Sequence, residues 1–321
     1  LSQSVVNEII QDHLGFMWFG TQDGLNRFDG NEIRIFKSDP DQKGSICNNF
    51  IQSLYEDSQG ILWIGTFGGG LNRYDPKTEE FTCYLPDPEN LQSISHPTVS
   101  QITQASDGTF WLGTNGGGLN HFDPVAETFV AYRHNPDDPE SISDDVVLQV
   151  VIDQIGRIWV GTFAGGLNVF DPTSEKFERV TTLSNVQTLR LDQQGFLWVG
   201  SMAEGLAKVD TSTLEVNYFP TEADNPSSPQ DNNIHYLFED RDGIIWVATA
   251  MFGLARYDRE TNQFFHYQND PKNIDSIAIN NIASIYQDRG GVYWIGTTGQ
   301  GVDRFDPFRN KFQHIFHEDD N

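Results

Sequence analysis

Eight histidines are the first side chains in this 321-residue sequence that could bind a metal or move a proton. None of them has the His-x-x-x-His or Glu-x-x-His spacing that places two ligands on one side of a helix. His235 stands out because it lies in a short apolar segment beside Asn232 and Asn233, where it could face a channel. An isolated strand histidine is more often structural, so we expect no catalytic residue, no metal site and no cofactor.

Asp-x-x-Gly segments repeat along the chain, and their carboxylates could suggest calcium binding. Each segment offers one carboxylate, whereas calcium takes roughly six to eight oxygen ligands. Tight turns explain them better, because glycine supplies a positive φ and aspartate accepts amide hydrogen bonds within the turn. The pairs are Asp12/Gly15, Asp57/Gly60, Asp153/Gly156, Asp192/Gly195, Asp240/Gly243 and Asp288/Gly291, and the third repeat has Ala105 with Gly108.

These turns belong to a repeat that runs through the whole sequence, with one tryptophan in each copy. The intervals between tryptophans are 45, 48, 48, 39, 48 and 48 residues, a period typical of solenoids, propellers and arrays. We expect the tryptophans to be structural and to form a buried ring that packs each unit against the next. They are Trp18, Trp63, Trp111, Trp159, Trp198, Trp246 and Trp294.

Each repeat contains four short strand signals separated by turns and no helical periodicity. Four-stranded sheets repeated radially make a β-propeller, so the sequence predicts an all-β fold with seven antiparallel blades. No linker divides the repeats, which indicates a single domain over residues 1–321. The predicted repeats span about residues 1–45, 46–93, 94–141, 142–180, 181–228, 229–276 and 277–321.

Two features of the ring are predicted from where the repeats begin and end. Both ends of the chain fall in a connection between blades, so we expect closure by packing without strand exchange. The 39-residue interval reflects a short fourth-to-fifth connection near Thr181–Asn185. We expect it to leave a notch in the rim, either as a simple loop deletion or as a ligand entrance.

The net charge of −26 makes nucleic acid and anionic membranes improbable partners. No apolar run approaches the roughly 20 residues of a membrane helix, so we expect no membrane insertion by this segment. The chain does not start with Met and carries no signal peptide, which suggests a piece of a longer protein. Cys47 and Cys83 could form a disulfide, but two buried thiols are the expectation.

The opening segment Leu1–Gly30 and the later Trp-Ile-Gly-Thr…Gly-Gly-Leu-Asn-Arg-Tyr-Asp-Pro blocks resemble the two-component regulator propeller. The resemblance covers all seven repeats. It implies a non-catalytic, periplasmic sensor domain of a bacterial inner-membrane receptor. It also implies downstream sensor domains, a histidine kinase or diguanylate cyclase output, and oligosaccharides as the ligands of the best-known members.

Variable residues between the second and third strands are the expected ligand contacts, because recognition is usually placed on loops of a rigid scaffold. Aromatic residues there could stack on sugar rings and polar ones could bind hydroxyls, although packing between loops is an alternative. The candidates are Phe67, Asn115, Phe163, Met202, Glu204, Phe252 and Gln300, together with His235.

The expected function is a sensor of a small neutral ligand, which the resemblance implies is an oligosaccharide, and two other functions stay open alongside it. The propeller could be a scaffold that transmits a signal or forms a homodimer while the ligand binds elsewhere. It could also be a lyase resembling the streptogramin-inactivating propellers, which would need His235 and a metal.

Overall fold

The computed structural model describes residues 1–181, 183–222, 225, 227–307 and 311–315. Within these ranges the chain forms 28 β-strands and no helix. The first sixteen strands are β1 (Val6–Gln11), β2 (Met17–Thr21), β3 (Gly24–Phe28), β4 (Ile33–Phe36), β5 (Ile51–Glu56), β6 (Leu62–Thr66), β7 (Leu71–Asp75), β8 (Glu80–Tyr84), β9 (Val99–Gln104), β10 (Phe110–Thr114), β11 (Leu119–Asp123), β12 (Thr128–Tyr132), β13 (Val147–Ile152), β14 (Ile158–Thr162), β15 (Leu167–Asp171) and β16 (Lys176–Thr181). The remaining twelve are β17 (Val186–Leu191), β18 (Phe196–Ser201), β19 (Leu206–Asp210), β20 (Val216–Phe219), β21 (Ile234–Glu239), β22 (Ile245–Thr249), β23 (Leu254–Asp258), β24 (Gln263–Tyr267), β25 (Ile282–Gln287), β26 (Tyr293–Thr297), β27 (Val302–Asp306) and β28 (Lys311–Ile315).

Successive groups of four strands form seven antiparallel sheets, which we call blades 1 to 7 in chain order. The first strand of each blade contacts the first strand of the next, and β25 contacts β1, so these seven innermost strands encircle a central channel. The predicted seven-bladed β-propeller is confirmed.

The turn between the first and second strand of a blade forms as the sequence predicts. In blade 1, Gly15 has φ +98° and its amide donates to the Asp12 carbonyl. The Asp12 carboxylate accepts from the amides of Leu14 and Phe16 through Oδ1, at 3.0 and 2.9 Å. In this turn glycine supplies the positive φ of the backbone, and aspartate supplies an acceptor for amides that would otherwise lack one.

The same aspartate has a second role that the sequence did not reveal. Asp12 Oδ2 accepts a 2.8 Å hydrogen bond from the indole Nε1 of Trp18, and the equivalent Asp–Trp bond recurs in five further blades at 2.8–2.9 Å. All seven tryptophans are at most 5 % exposed and lie among the apolar side chains between blades. A buried indole needs an acceptor, and the turn supplies it.

Blade 3 is the exception, because Ala105 occupies the aspartate position. Its turn keeps the backbone bond from the Ala105 amide to the Thr109 carbonyl, at 2.8 Å. Trp111 stacks on the His121 ring instead, with centroids 4.4 Å apart. Among the described residues no carboxylate accepts from the Trp111 indole.

Blades 1 and 7 close the ring by packing, as expected. Within the described part of the chain, β28 pairs with β27 and not with a strand of blade 1. Phe19 of blade 1 contacts Trp294 of blade 7 with centroids 5.7 Å apart. The Gly301 amide donates to the Ser4 carbonyl at 2.9 Å.

The expectation of two free thiols is wrong, because Cys47 and Cys83 form a disulfide. The buried Asn72 explains their proximity. Its Oδ1 accepts the Cys47 amide at 2.9 Å, and its backbone pairs with Cys83 across β7 and β8. In blades 1, 3 and 4 a serine takes the place of Cys47 and is held in the same way by Asn26, Asn120 or Asn168.

The connection from β16 to β17 is short, and the described part of it includes the buried Leu183. Residue 182 lies outside the described residues. The predicted notch in the rim stays a prediction.

Candidate ligand site at the channel mouth

Each innermost strand begins at the loop face of the propeller, which carries the loops between second and third strands. In blade 1 the first residue of β1, Val6, pairs with Thr21 at the end of β2. The second residue of each innermost strand therefore lies at the mouth of the channel. We call these seven the mouth residues: Asn7, Gln52, Ser100, Leu148, Gln187, His235 and Ala283.

The mouth residues line one cavity of about 230 Å³, which we call the mouth cavity. Gln101 and Gln149, one position further along their strands, also line it, with Met202 and Phe50 from the loops above. Glu8 and Tyr236 complete its floor. The lining is thus mainly neutral and polar, with a few apolar side chains.

Four glutamines give this cavity its chemical character. The side-chain amides of Gln52, Gln101, Gln149 and Gln187 line it, and among the described residues none of them hydrogen-bonds to another protein group. Each amide offers one acceptor oxygen and two donor hydrogens. Such a set matches a ligand that both donates and accepts hydrogen bonds without carrying charge.

Other mouth residues use a side-chain atom to join neighbouring blades. Asn7 donates to the Ile51 carbonyl at 2.8 Å, and Ser100 donates to the Val147 carbonyl at 2.6 Å. His235 Nδ1 lies 3.1 Å from the Ile282 carbonyl, and burial lowers the pKa of this imidazole. A neutral His235 that donates from Nδ1 leaves Nε2 as an acceptor.

The floor of the cavity contains a partly buried acid, Glu8. The Tyr236 hydroxyl donates to Glu8 Oε1 at 2.7 Å, linking blades 6 and 1 across the inner strand of blade 7. Burial raises the pKa of Glu8 to about 7, although the hydrogen bond from Tyr236 lowers it. The carboxyl group is therefore partly protonated near neutral pH.

Two of the eight predicted ligand residues, His235 and Met202, line the mouth cavity together. Phe67 lies beside it, because its ring stacks on Phe50 with centroids 5.4 Å apart. This contact matches the alternative of packing between loops, although Phe67 stays 47 % exposed.

The other five predicted residues lie outside the lining of this cavity. Phe163 and Phe252 are exposed on their loops, as are Asn115 and Gln300. Glu204 accepts the Ser184 amide at 2.8 Å and thereby holds the connection into blade 5. A ligand role for these five stays a prediction.

Sequence reasoning missed Asn7, Gln52, Ser100, Gln101, Gln149 and Gln187. The available signal for Asn7, Gln52, Ser100 and Gln187 was the position eleven residues before each tryptophan, which His235 shares. Its residue type changes from blade to blade, while the residue before it is always valine or isoleucine. Gln101 and Gln149 lie one position later. A polar, variable position on an innermost strand is a channel-facing position, and only the strand register makes this visible.

Within the described ranges, no three His, Cys, Asp or Glu side chains are grouped to bind a metal ion. The structure has no helix among its described residues with the length and hydropathy needed to span a bilayer.

Comparison with known proteins agrees with the repeat pattern. Residues 45–68, 228–251 and 276–299 match the model of the family described as two component regulator propeller. A 46-residue stretch is 50 % identical to Histidine kinase P4 of Formosa agariphila, covering 14 % of this chain and 3 % of that protein. The predicted family resemblance is confirmed in these segments.

Solved structures resemble the chain over nearly its full length. An extracellular domain of a hybrid two component system from B. thetaiotaomicron superposes with a TM-score of 0.83 and 27 % identity over 95 % of this chain and 40 % of that chain. A second such domain gives a TM-score of 0.75 and 24 % identity over 94 % and 38 %. A streptogramin B lyase shares the fold alone, at a TM-score of 0.69 and 17 % identity over 95 % and 94 %. This chain thus spans less than half of the two extracellular domains.

Proposed function

We propose that this chain, which carries two component regulator propeller repeats, is the periplasmic sensor propeller of a bacterial membrane receptor and binds a neutral oligosaccharide at its channel mouth. Ligand binding is its task, and a downstream kinase or cyclase in the same receptor carries the output. The likeness to extracellular domains of hybrid two component systems supports the receptor context.

The single observation that carries the ligand class is the set of four glutamine amides without protein partners in the mouth cavity. Sugar hydroxyls donate and accept hydrogen bonds, as do carboxamides. Phe50 and Met202 supply apolar surface for the faces of a sugar ring. A cavity of about 230 Å³ accommodates one end of an oligosaccharide, with the variable loops above it.

The disulfide supports the periplasmic location. Disulfides persist in oxidising compartments and are rare where glutathione and thioredoxin keep thiols reduced. Cys47 and Cys83 are the only cysteines, and they are paired.

Thermal unfolding in the presence of neutral oligosaccharides tests the proposal. A ligand at a hundredfold excess over its Kd stabilises the folded chain by about 2.7 kcal/mol, a readily measured rise in Tm. We expect at least one glycan of a panel with varied linkages to produce it. If none does, the direct-sensor function is wrong and the scaffold or homodimer function takes its place.

A lyase is the second candidate, because His235 lines the mouth cavity and its Nδ1, not its Nε2, contacts the Ile282 carbonyl. It requires turnover of a bound substrate that His235→Ala abolishes while binding persists. Binding without turnover in both proteins would exclude this activity for the substrate tested.

A further inference from the structure

A second ring of side chains lines the channel below the mouth residues. It consists of the fifth residue of each innermost strand, three positions after the mouth residue of that strand. Because a strand rises about 3.3 Å per residue, this ring lies up to about 10 Å deeper in the channel. We call these seven residues the inner ring: Ile10, Tyr55, Thr103, Val151, Arg190, Phe238 and Tyr286.

All seven inner-ring residues line a second cavity of about 340 Å³, which we call the inner cavity. Glu8, Gln101, Gln149 and Tyr236 line both the inner cavity and the mouth cavity, so the two adjoin along the channel. An engineered cavity of about 150 Å³ lined by Leu, Ile and Phe is large enough to bind benzene. The inner cavity therefore has room for an aromatic ring.

The inner ring differs in chemistry from the mouth residues above it. Five of its seven members are aliphatic or aromatic, whereas five of the seven mouth residues are polar. All seven inner-ring residues are partly exposed. Apolar surface that is exposed in a channel gains free energy when an apolar group of a ligand covers it.

The hydroxyl groups of the two threonines that line the inner cavity already join neighbouring blades. Thr103 Oγ1 donates to the Val150 carbonyl at 2.8 Å, and Thr188 Oγ1 accepts from the Leu237 amide at 3.1 Å. These hydroxyls are committed to the protein, unlike the glutamine amides of the mouth cavity.

Arg190 is the one lysine or arginine in the lining of the inner cavity among the described residues. Its Nη2 donates to the Glu239 carbonyl at 3.4 Å, and its guanidinium carbon lies 5.5 Å from the centroid of the Phe238 ring. The arginine is therefore positioned by protein groups. The inner cavity thus offers a ligand mainly apolar surface, and its unpartnered amides lie where it adjoins the mouth cavity.

We propose that the oligosaccharide carries an apolar aglycone and that the inner cavity binds this group, while the sugar stays at the channel mouth. This ligand class, the glycosides of apolar alcohols and phenols, rests on the sensor function proposed above. Tyr55, Phe238 and Tyr286 supply aromatic walls, which pack favourably against an aromatic ring. Gln101 and Gln149 lie at the junction of the cavities, where their amides can donate to a glycosidic oxygen.

Isothermal titration calorimetry with matched phenyl and methyl glycosides tests the inner cavity in the parent chain. Glycosides of glucose, galactose, mannose and xylose, in both anomeric forms, give pairs that differ only in the aglycone. We expect at least one phenyl glycoside to bind about tenfold or more tightly than its methyl counterpart, since a phenyl ring removes more apolar surface from water.

Equal affinities within every pair, or no binding by any phenyl glycoside, would overturn the aglycone site. Thermal unfolding with oligosaccharides that have no aglycone reports on the proposed sensor function separately. Stabilisation by an oligosaccharide without a preference for phenyl glycosides would therefore refute the inner-cavity site alone.

Two variants assign the preference to the inner ring. Val151→Tyr places in blade 4 the residue type that Tyr55 has in blade 2, and it fills part of the inner cavity. It should weaken binding of the phenyl glycoside about tenfold, to the level of the methyl glycoside. Val125→Tyr, at a residue that is 93 % exposed, should leave both affinities unchanged.

Tyr55→Thr is the complementary variant, because it removes an aromatic wall and introduces the residue type of Thr103 in blade 3. It should weaken the phenyl glycoside at least about threefold and leave the methyl glycoside unchanged. Circular dichroism and the Tm establish that each variant is folded. An undiminished preference for the phenyl glycoside in Val151→Tyr and Tyr55→Thr contradicts binding in the inner cavity.

Discussion

The two ends of the innermost strands differ in how their side chains are used. At the turn end, an aspartate recurs in six of seven blades, and both of its oxygens accept hydrogen bonds from the turn and from a buried tryptophan. At the mouth end, the residue type changes between blades, and several glutamines have no partner among the described residues. The repeated aspartates and tryptophans are committed to folding, whereas the glutamines without a protein partner are the side chains to which we assign the proposed ligand.

The largest expected change in the free energy of unfolding distinguishes a buried tryptophan next to the turn end from a glutamine at the mouth end of the innermost strands. Trp198 is fully buried and packs against Phe219 and Tyr257, with centroids 5.3 and 5.0 Å away. Trp198→Ala should lower the free energy of unfolding by about 3–5 kcal/mol. Gln187→Leu should change it by less than about 1 kcal/mol, since blade 4 already has Leu148 there. Urea unfolding measures both, and equal losses would break the distinction between the two ends.

Glu8 gives a smaller effect, and it depends on pH. Its pKa is raised from 4.5 to about 7 by burial, so its contribution to stability is complete below about pH 4.5 and lost as pH rises through about 7. Glu8→Gln removes this loss and should raise the free energy of unfolding at pH 8 by up to about 3 kcal/mol relative to the parent, but little at pH 4.5. Glu89→Gln, at an exposed site, is the control. A gain of equal size at both pH values would mean that Glu8 does not titrate with folding.

The smallest expected change in stability comes from restoring the turn aspartate that blade 3 lacks. Ala105 has the same turn hydrogen bond as Asp12, so Ala105→Asp should accept the Trp111 indole and the turn amides. We expect a gain of about 1 kcal/mol in the free energy of unfolding. Ala126→Asp adds the same charge at an exposed site and should not stabilise the chain. If both variants behave alike in urea unfolding, the Asp–Trp bond contributes little.

The sequence predicted the propeller because its period, its turn glycines and its tryptophans all follow from local backbone requirements. It did not predict the disulfide, because the proximity of Cys47 to Cys83 depends on Asn72, whose place between them is set by strand pairing. The turn aspartates were recognised, but their hydrogen bonds to tryptophan were not. Two residues six positions apart meet here only because the first two strands of each blade pair in the register seen for β1 and β2.

The candidate site was predicted only in part for a similar reason. His235 attracted attention by its residue type, whereas Gln52 and Gln187 look like ordinary surface residues in a linear sequence. They become neighbours because seven strands converge on one axis. The loop aromatics Phe163 and Phe252 vary as a ligand contact should, but their exposed positions lie outside the lining of the mouth cavity.

The central claim is that the ligand binds at the channel mouth. It is tested most directly by titrating two matched variants with an oligosaccharide that stabilises the parent chain in thermal unfolding. Gln187→Leu removes an amide from the mouth cavity, and Gln59→Leu removes an exposed glutamine from a turn at the opposite end of the strands. Isothermal titration calorimetry should show affinity about tenfold weaker for Gln187→Leu, since hydrogen bonds to the sugar are lost, and unchanged for Gln59→Leu. Unchanged affinity in Gln187→Leu together with lost binding in Phe163→Ala would place the ligand on the loops and contradict a site at the channel mouth.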